Sequence, residues 1–272
     1  GKRFSIKTNT IMEDSPLPLG TWLVGIWLEA NAKNSISSYE VHRAIGVTQK
    51  SAWFMQHRIR LAVQNGGIEK MAAVRGVEVD ETFIGGKARN MHADKRKRVI
   101  TSRGPSGKAA VMGLLDRHTR EVRAVVIPNT KRRTLHPVIR THVMAGATVY
   151  TDAHPAYVGL EPDFVHQFVD HAETYVEGNV HTNGLENFWA LFKRCIKGTH
   201  VSVEAFHLFR YLDAECFRFN NRKENDQGRF LLAVLGMSGK RLTYKDLTGK
   251  LLPEGVPAPA SDGGAGSGGL PN

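Results

Sequence analysis

The stretch His181-Thr182-Asn183-Gly184-Leu185-Glu186-Asn187-Phe188-Trp189-Ala190-Leu191-Phe192-Lys193 predicts a helix with two unlike faces. At about 100° per residue, Asn183, Glu186, Ala190, Lys193 and Lys197 fall within a sector roughly 80° wide. Leu185, Phe188, Trp189, Phe192 and Ile196 occupy the other side, over roughly 100°. The apolar side is expected to dock on a core. The polar side carries an amide, a carboxylate and two lysines. Glu186 and Lys193 lie seven residues apart, two turns along one face. That spacing suits a site where a divalent cation and a phosphate meet.

Two aspartates upstream complete such a site. Asp80 ends the run Gly76-Val77-Glu78-Val79-Asp80, and Asp152 ends Ala147-Thr148-Val149-Tyr150-Thr151-Asp152. Both runs read as short buried strands finishing on an acid. Two strand-end aspartates and a helix glutamate offer three hard oxygen ligands of the kind Mg²⁺ or Mn²⁺ takes. Each acid also has a plain structural reading. Asp80 and Asp152 can be strand-end caps. Asn183 with Glu186 three residues on fits a capping box at a helix start. Glu81 should point to the face opposite Asp80 and is left out of the site. His154, His171 and His181 lack tight ligand spacing. They read as phosphate contacts or satisfied polar residues.

Taken together, Val79-Asp80-Glu81-Thr82-Phe83-Ile84-Gly85-Gly86-Lys87, Tyr150-Thr151-Asp152, and His181-Thr182-Asn183 with Glu186, Trp189 and Lys193-Arg194 resemble the ISXO2-like (IS1595 family) insertion-sequence transposases. The resemblance runs from about Lys2 to about Lys223. It implies a ribonuclease H-like fold and metal-dependent DNA strand cleavage and strand transfer of the DDE type. It implies two Mg²⁺ (or Mn²⁺) ions, with Asp80 bridging them and Asp152 and Glu186 each holding one. Lys193 then contacts a phosphate. An asparagine sometimes takes the third position in this family, which makes Asn183 the rival of Glu186. The implied partner is double-stranded DNA, both element ends and target, bound by a homo-oligomer. The implied setting is the cytoplasm, at the bacterial nucleoid. Between the acids lie 71 and then 33 residues. The second interval resembles that of many retroviral-integrase-like enzymes. Two other readings stay open: a structure-specific nuclease on the same fold, and a catalytically silent DNA-binding protein derived from a transposase.

Composition agrees with a polyanionic partner. The 272 residues carry a net charge of +11, with a pI of about 9.8, as basic nucleic-acid-binding proteins do. Hydrophobic residues make up 41%, enough for a globular core. Cys195 and Cys216 suggest a reducing compartment rather than a disulfide framework. No apolar run approaches the roughly 20 residues of a membrane span. Relatives by resemblance carry a cysteine zinc ribbon upstream. No cysteine precedes Cys195 here, so no zinc is expected.

The expected organisation is α/β: a ribonuclease H-like mixed five-stranded sheet with flanking helices over 76–225, preceded by a small all-α segment. Residues 1–20 read as the remnant of an upstream module. Residues 21–70 read as helices in a helix-turn-helix outline, with Ser37 or Ser38 and Thr48 as caps. In that outline Gln49, Lys50 and Ser51 start the second helix, where base contacts are made. The strands are placed at Val77–Ile84, 109–115, 121–127, 147–152 and 165–171, with a helix over 134–144. Residues 226–252 form a C-terminal extension, and 253–272, rich in Pro, Gly, Ala and Ser, a disordered tail. The segment 86–108 holds eight Lys and Arg against one acid, Asp94. Its Lys95, Arg96, Lys97 and Arg98, with Arg132, Arg133 and Lys197, are the candidate DNA-backbone contacts. Glu204 to Arg222 predicts an amphipathic helix whose Arg210, Arg218 and Arg222 face either phosphate or solvent.

Overall fold

The computed structural model describes residues 5–64, 69–86, 88–100, 106–169 and 182–249. Lys87, His171, His181 and the tail 253–272 lie outside the described residues, as do the side chains of Lys95 and Arg98.

Five strands form one sheet in the order β3-β2-β1-β4-β5. They are β1 (Val77–Ile84), β2 (Ala109–Asp116), β3 (Val122–Ile127), β4 (Thr148–Asp152) and β5 (Val165–Val169). The first three pair antiparallel; β4 joins β1 in parallel and β5 joins β4 in parallel. This mixed order is the ribonuclease H-like arrangement that the sequence predicts. β2 reads Ala-Ala-Val-Met-Gly-Leu-Leu-Asp and is buried along almost its whole length, as a central strand covered on both faces should be.

Strand alternation splits the core in two. On one face Val77, Val79, Met112, Leu114 and Val149 pack under α5 (Arg132–His142), through Leu135 and Ile139, and under Tyr157 and Leu160. On the other, Val111, Leu115 and Val122 meet Leu185, Phe188, Trp189 and Phe192 of α6 (Asn183–Cys195). Leu212, Cys216 and Phe219 of α7 (Leu208–Asn220) close that side. The docked face of α6 is the predicted one. The helix stops at Cys195 and continues as a π-helical turn, Ile196–His200. Lys197 therefore rides on a wider turn and leaves the straight-helix projection.

The N-terminal helices are α1 (Leu19–Asn31), α2 (Ser38–Ile45) and α3 (Gln49–Ala62). Ser37 caps α2 in a capping box with Glu40, Gly46 ends it at φ +69°, and Thr48 caps α3. α3 is buried through its second half. Ile26, Met55 and Ile59 share a cluster with Ile11, with Phe217 of α7, and with Ala233 of α8 (Asp226–Leu235). The expected boundaries at 20/21 and 225/226 fall inside this cluster. Two short helices remain: α4 (Ala93–Val99) within the basic segment and α9 (Tyr244–Leu247) after α8.

Ion pairs tie the polar interior. Arg60 donates to Glu29 at 2.8 Å with both side chains about 1% exposed. Arg218 donates to Glu215 at 2.7 Å, Arg210 to Asp213 at 3.3 Å, and Arg222 to the Phe219 carbonyl at 2.6 Å. Arg210 and Arg218 are thus internal struts, whereas Arg222 is exposed at the end of the helix. Cys195 and Cys216 are buried free thiols.

Gly113 decides how closely α6 approaches the sheet. A Cβ there would lie 2.6 Å from the Trp189 ring and 2.9 Å from Leu185. Gly113→Ala should destabilise by about 1–3 kcal/mol, the usual range for overpacking. Gly20→Ala, in α1 with nothing within 4 Å of the added methyl, should be neutral or slightly stabilising. Thermal unfolding of the two variants checks this; equal melting temperatures would mean that α6 is not held so closely.

Candidate active site

The site forms where β1 and β4 carry their acids to the α6 side of the sheet. Glu78 and Asp80 share that face of β1. The β1–β4 ladder pairs Val77 with Val149 and Glu78 with Tyr150. Asp80 and Asp152 each lie two residues beyond this last pair, so alternation brings both to the same face. Gly113 stands opposite Asp80 on β2, and the room it leaves lets the indole of Trp189 reach the strand. Trp189 Nε1 donates to Asp80 Oδ2 at 3.0 Å.

Burial, then the charge of Asp152, and more weakly that of Glu186, push the Asp80 carboxyl up to about 6, against an opposing hydrogen bond from Trp189. A carboxylate in the field of two others is the condition that a bound dication relieves. Asp152 Oδ1 accepts the His154 backbone N–H at 3.1 Å. Asn183, Glu186 and Lys193 are exposed on α6. All four candidate ligands are hard oxygen donors, so the donor set fits Mg²⁺ or Mn²⁺. Among the described residues no three His, Cys, Asp or Glu side chains are gathered tightly enough to hold a metal ion. The acids are brought to one region without closing into a cage.

The capping-box reading of Asn183 and Glu186 fails. Thr182 is the N-cap, without a side-chain cap bond, and Asn183 is the first helical residue. The capping acceptor comes from the sheet. Glu78 Oε2 accepts the Leu185 N–H at 3.1 Å, and Glu78 Oε1 accepts Arg117 Nε at 3.0 Å. The Arg117 guanidinium stacks 3.7 Å from the Tyr150 ring centre. A carboxylate at a helix N-terminus is doubly favoured, by hydrogen bonding and by the helix dipole. Gly184 makes room for it, since a Cβ there would sit 2.7 Å from Glu78 Oε2.

Sequence reasoning missed the role of Glu78. Its signal was present: a charge inside the apolar run Val77-Glu78-Val79 must find a partner. Glu81 faces the other way, as expected, yet it is not idle. It accepts from Tyr157 Oη at 2.5 Å, and burial, opposed by that bond, pushes it up to about 7. His154 accepts the Ala156 N–H at 3.2 Å as a local cap.

The candidate DNA contacts lie on several separate elements. Gln49 donates to Ser38 Oγ at 2.8 Å, Ser51 is tied to the Thr48 cap, and Lys50 sits 4.9 Å from the Tyr244 ring centre. Arg96 and Lys97 are exposed on α4. Lys131, Arg132, Arg133, His136 and Arg140 line a groove along α5, and Arg132 and Arg133 are exposed. Lys197 is exposed on the π turn.

Raising the Asp80 carboxyl makes stability depend on pH. The favourable protonated form contributes fully below about pH 4, and the contribution fades as pH rises through about 6. In metal-free buffer Asp80→Asn should gain on the wild type between pH 4 and 7, by up to about 3 kcal/mol. Thermal unfolding with a chelator measures the difference; parallel curves would show that the carboxyl carries no such penalty.

Residues 74–220 match the ISXO2-like transposase domain. An uncharacterized protein in transposable element ISH50 of Halobacterium salinarum is 27% identical over 222 residues, covering 78% of this chain and 74% of its own length. An uncharacterized transposase-like protein of Haemophilus influenzae is 36% identical over 110 residues, 39% of this chain and 87% of its own. With a ribonuclease H-like sheet and more than half its length inside the match, the chain belongs to the ISXO2-like transposase family of insertion sequences.

Proposed function

We propose that this transposase cleaves DNA at element ends and joins the freed strand to target DNA by DDE-type chemistry. The observation that carries the reading is that β1 and β4 bring Asp80 and Asp152 to the sheet face on which α6 docks, where Trp189 of α6 donates to Asp80 at 3.0 Å. Asp80, Asp152 and Glu186 would hold two divalent ions. When bound, such ions lower the pKa of an attacking oxygen and neutralise the leaving one.

The chain's own groups do the rest. Trp189 holds Asp80 in place by donating to Oδ2. Asn183, just under one turn before Glu186 on the exposed face, positions Glu186 or the attacked phosphate. Lys193 neutralises a phosphate oxygen and moves no proton. Phosphate contacts outside the centre fall to Lys95, Arg96, Lys97 and Arg98, to Arg132 and Arg133, and to Lys197. Gln49, Lys50 and Ser51 read bases if the hydrogen bonds of Gln49 and Ser51 and the ring contact of Lys50 are exchanged for bonds to base edges. The DNA-bound form is a homo-oligomer acting at the nucleoid. Among the described residues no helix is long and apolar enough to cross a membrane.

A plasmid carrying the element ends, incubated with and without Mg²⁺, tests the reading. Asp80→Ala, Asp152→Ala and Glu186→Gln should each remove several kcal/mol of charge stabilisation, at least about a hundredfold in rate, with DNA binding intact. Asn183→Ala should slow the reaction about 10- to 100-fold, the size typical of a residue that orients a ligand. Wild-type cleavage by any of the three acidic variants would refute the assignment. Ends without joined products would make the protein a nuclease.

Neutralising Lys95, Arg96, Lys97 and Arg98 together should weaken binding to any duplex. Every phosphate that is no longer neutralised lowers the slope of log affinity against log salt by about one. An unchanged slope, read from fluorescence anisotropy at several salt concentrations, would leave this run as a solvated segment.

A further inference from the structure

The β1–β4 ladder ends at Glu78 and Tyr150, before either strand reaches its aspartate. Something else must fix the separation of Asp80 and Asp152. Behind the sheet, the Glu81 carboxylate accepts a hydrogen bond from Tyr157 Oη at 2.5 Å. Tyr157 is 1% exposed and belongs to the core under α5. It closes the short 3-10 turn Pro155–Tyr157, whose cap is His154. The backbone N–H of that same His154 donates to Asp152 Oδ1 at 3.1 Å. A continuous path therefore runs from Asp80 through its neighbour Glu81 to Tyr157, along the turn to His154, and back to Asp152.

We propose that Glu81 and Tyr157 are positioning residues: their hydrogen bond clamps the turn after β4 onto β1 and so sets the spacing of Asp80 and Asp152 for a divalent cation. The proposal rests on the reading of these aspartates as metal ligands. Glu81 is needed as a hydrogen-bond acceptor rather than as a charge, because it lies on the opposite face from the ions. Gln supplies the same acceptor and Leu does not.

The test is Mn²⁺ titration of the full chain, following the free-ion signal by electron paramagnetic resonance. Asp80→Asn serves as the non-binding control, and melting in chelator as the folding control. Tyr157→Phe and Glu81→Leu should weaken Mn²⁺ affinity about 10- to 100-fold, while Glu81→Gln stays within about threefold. Tyr157→Phe deletes one oxygen and keeps the ring, so it tests the clamp even if Glu81→Leu does not fold. Wild-type affinity in both Tyr157→Phe and Glu81→Leu would overturn the clamp and leave the metal site standing. A loss in Glu81→Gln as large as in Glu81→Leu would also overturn it, making Glu81 a charge-bearing participant. Absence of Mn²⁺ binding by the wild type, with Asp80→Asn indistinguishable from it, would remove the metal reading and the clamp with it.

Discussion

A buried carboxylate meets the start of a helix at the centre of this fold. Glu78 is fully inside, on the second residue of β1, and a charge placed there without partners would be strongly unfavourable. Its two oxygens are taken by the first-turn amide of α6 and by Arg117, whose own guanidinium lies on Tyr150 of β4. Removing one member of such a buried pair typically costs about 3–5 kcal/mol. The arrangement therefore holds three elements in register at once: the strand bearing Asp80, the strand bearing Asp152 and the helix bearing Glu186. The absence of a side chain at Gly184 and at Gly113 is what lets α6 come close enough for this to happen.

Docking α6 in this way creates the electrostatic situation of the site. Trp189 is carried to Asp80 by the same face that buries Phe188 and Phe192. The indole shields Asp80 from water on one side and donates to it, two opposed effects on its ionisation. Asp152 and Glu186 add negative charge nearby. The protein has thus concentrated like charges in a partly dry place, against its own stability, as active sites commonly do.

The basic character of the chain divides into two populations. Arg60, Arg218 and Arg117 are consumed inside, pairing with Glu29, Glu215 and Glu78. Arg60 also lies over the Tyr211 ring of α7 and Arg218 donates to the Glu29 carbonyl, joining the N-terminal helices to α7, while Arg117 joins the hairpin turn to the sheet. The cations left outside, among them Arg96, Lys97, Arg132, Arg133, Lys193 and Lys197, are exposed on several elements. Net charge alone does not distinguish the two groups, since a buried arginine and a phosphate-facing one count equally.

The sequence by itself determined the five strands and the longer helices up to α7, with most of their faces, but not α4, α8 or α9. Short apolar runs placed the strands; the spacing of Leu185, Phe188, Trp189 and Phe192 placed the buried side of α6; Ser37 or Ser38 and Thr48 marked helix starts. These are local signals, because side-chain direction within one element follows from backbone geometry alone. That Asp152 ends a strand and that Glu186 lies beside the apolar stripe of α6 was also legible, whereas Asp80, read as a strand end, is the fourth of the eight residues of β1 because the ladder with β2 continues to Ile84. What only the tertiary structure decided is which groups answer one another across elements. That Glu78 rather than Asn183 and Glu186 caps α6, that Arg218 turns inward, and that Glu81 meets Tyr157 seventy-six residues later depend on how α6, α7 and the turn after β4 settle on the sheet. A buried polar group must find a partner, but composition and periodicity do not say which one; only packing brings a particular donor within about 3 Å of it.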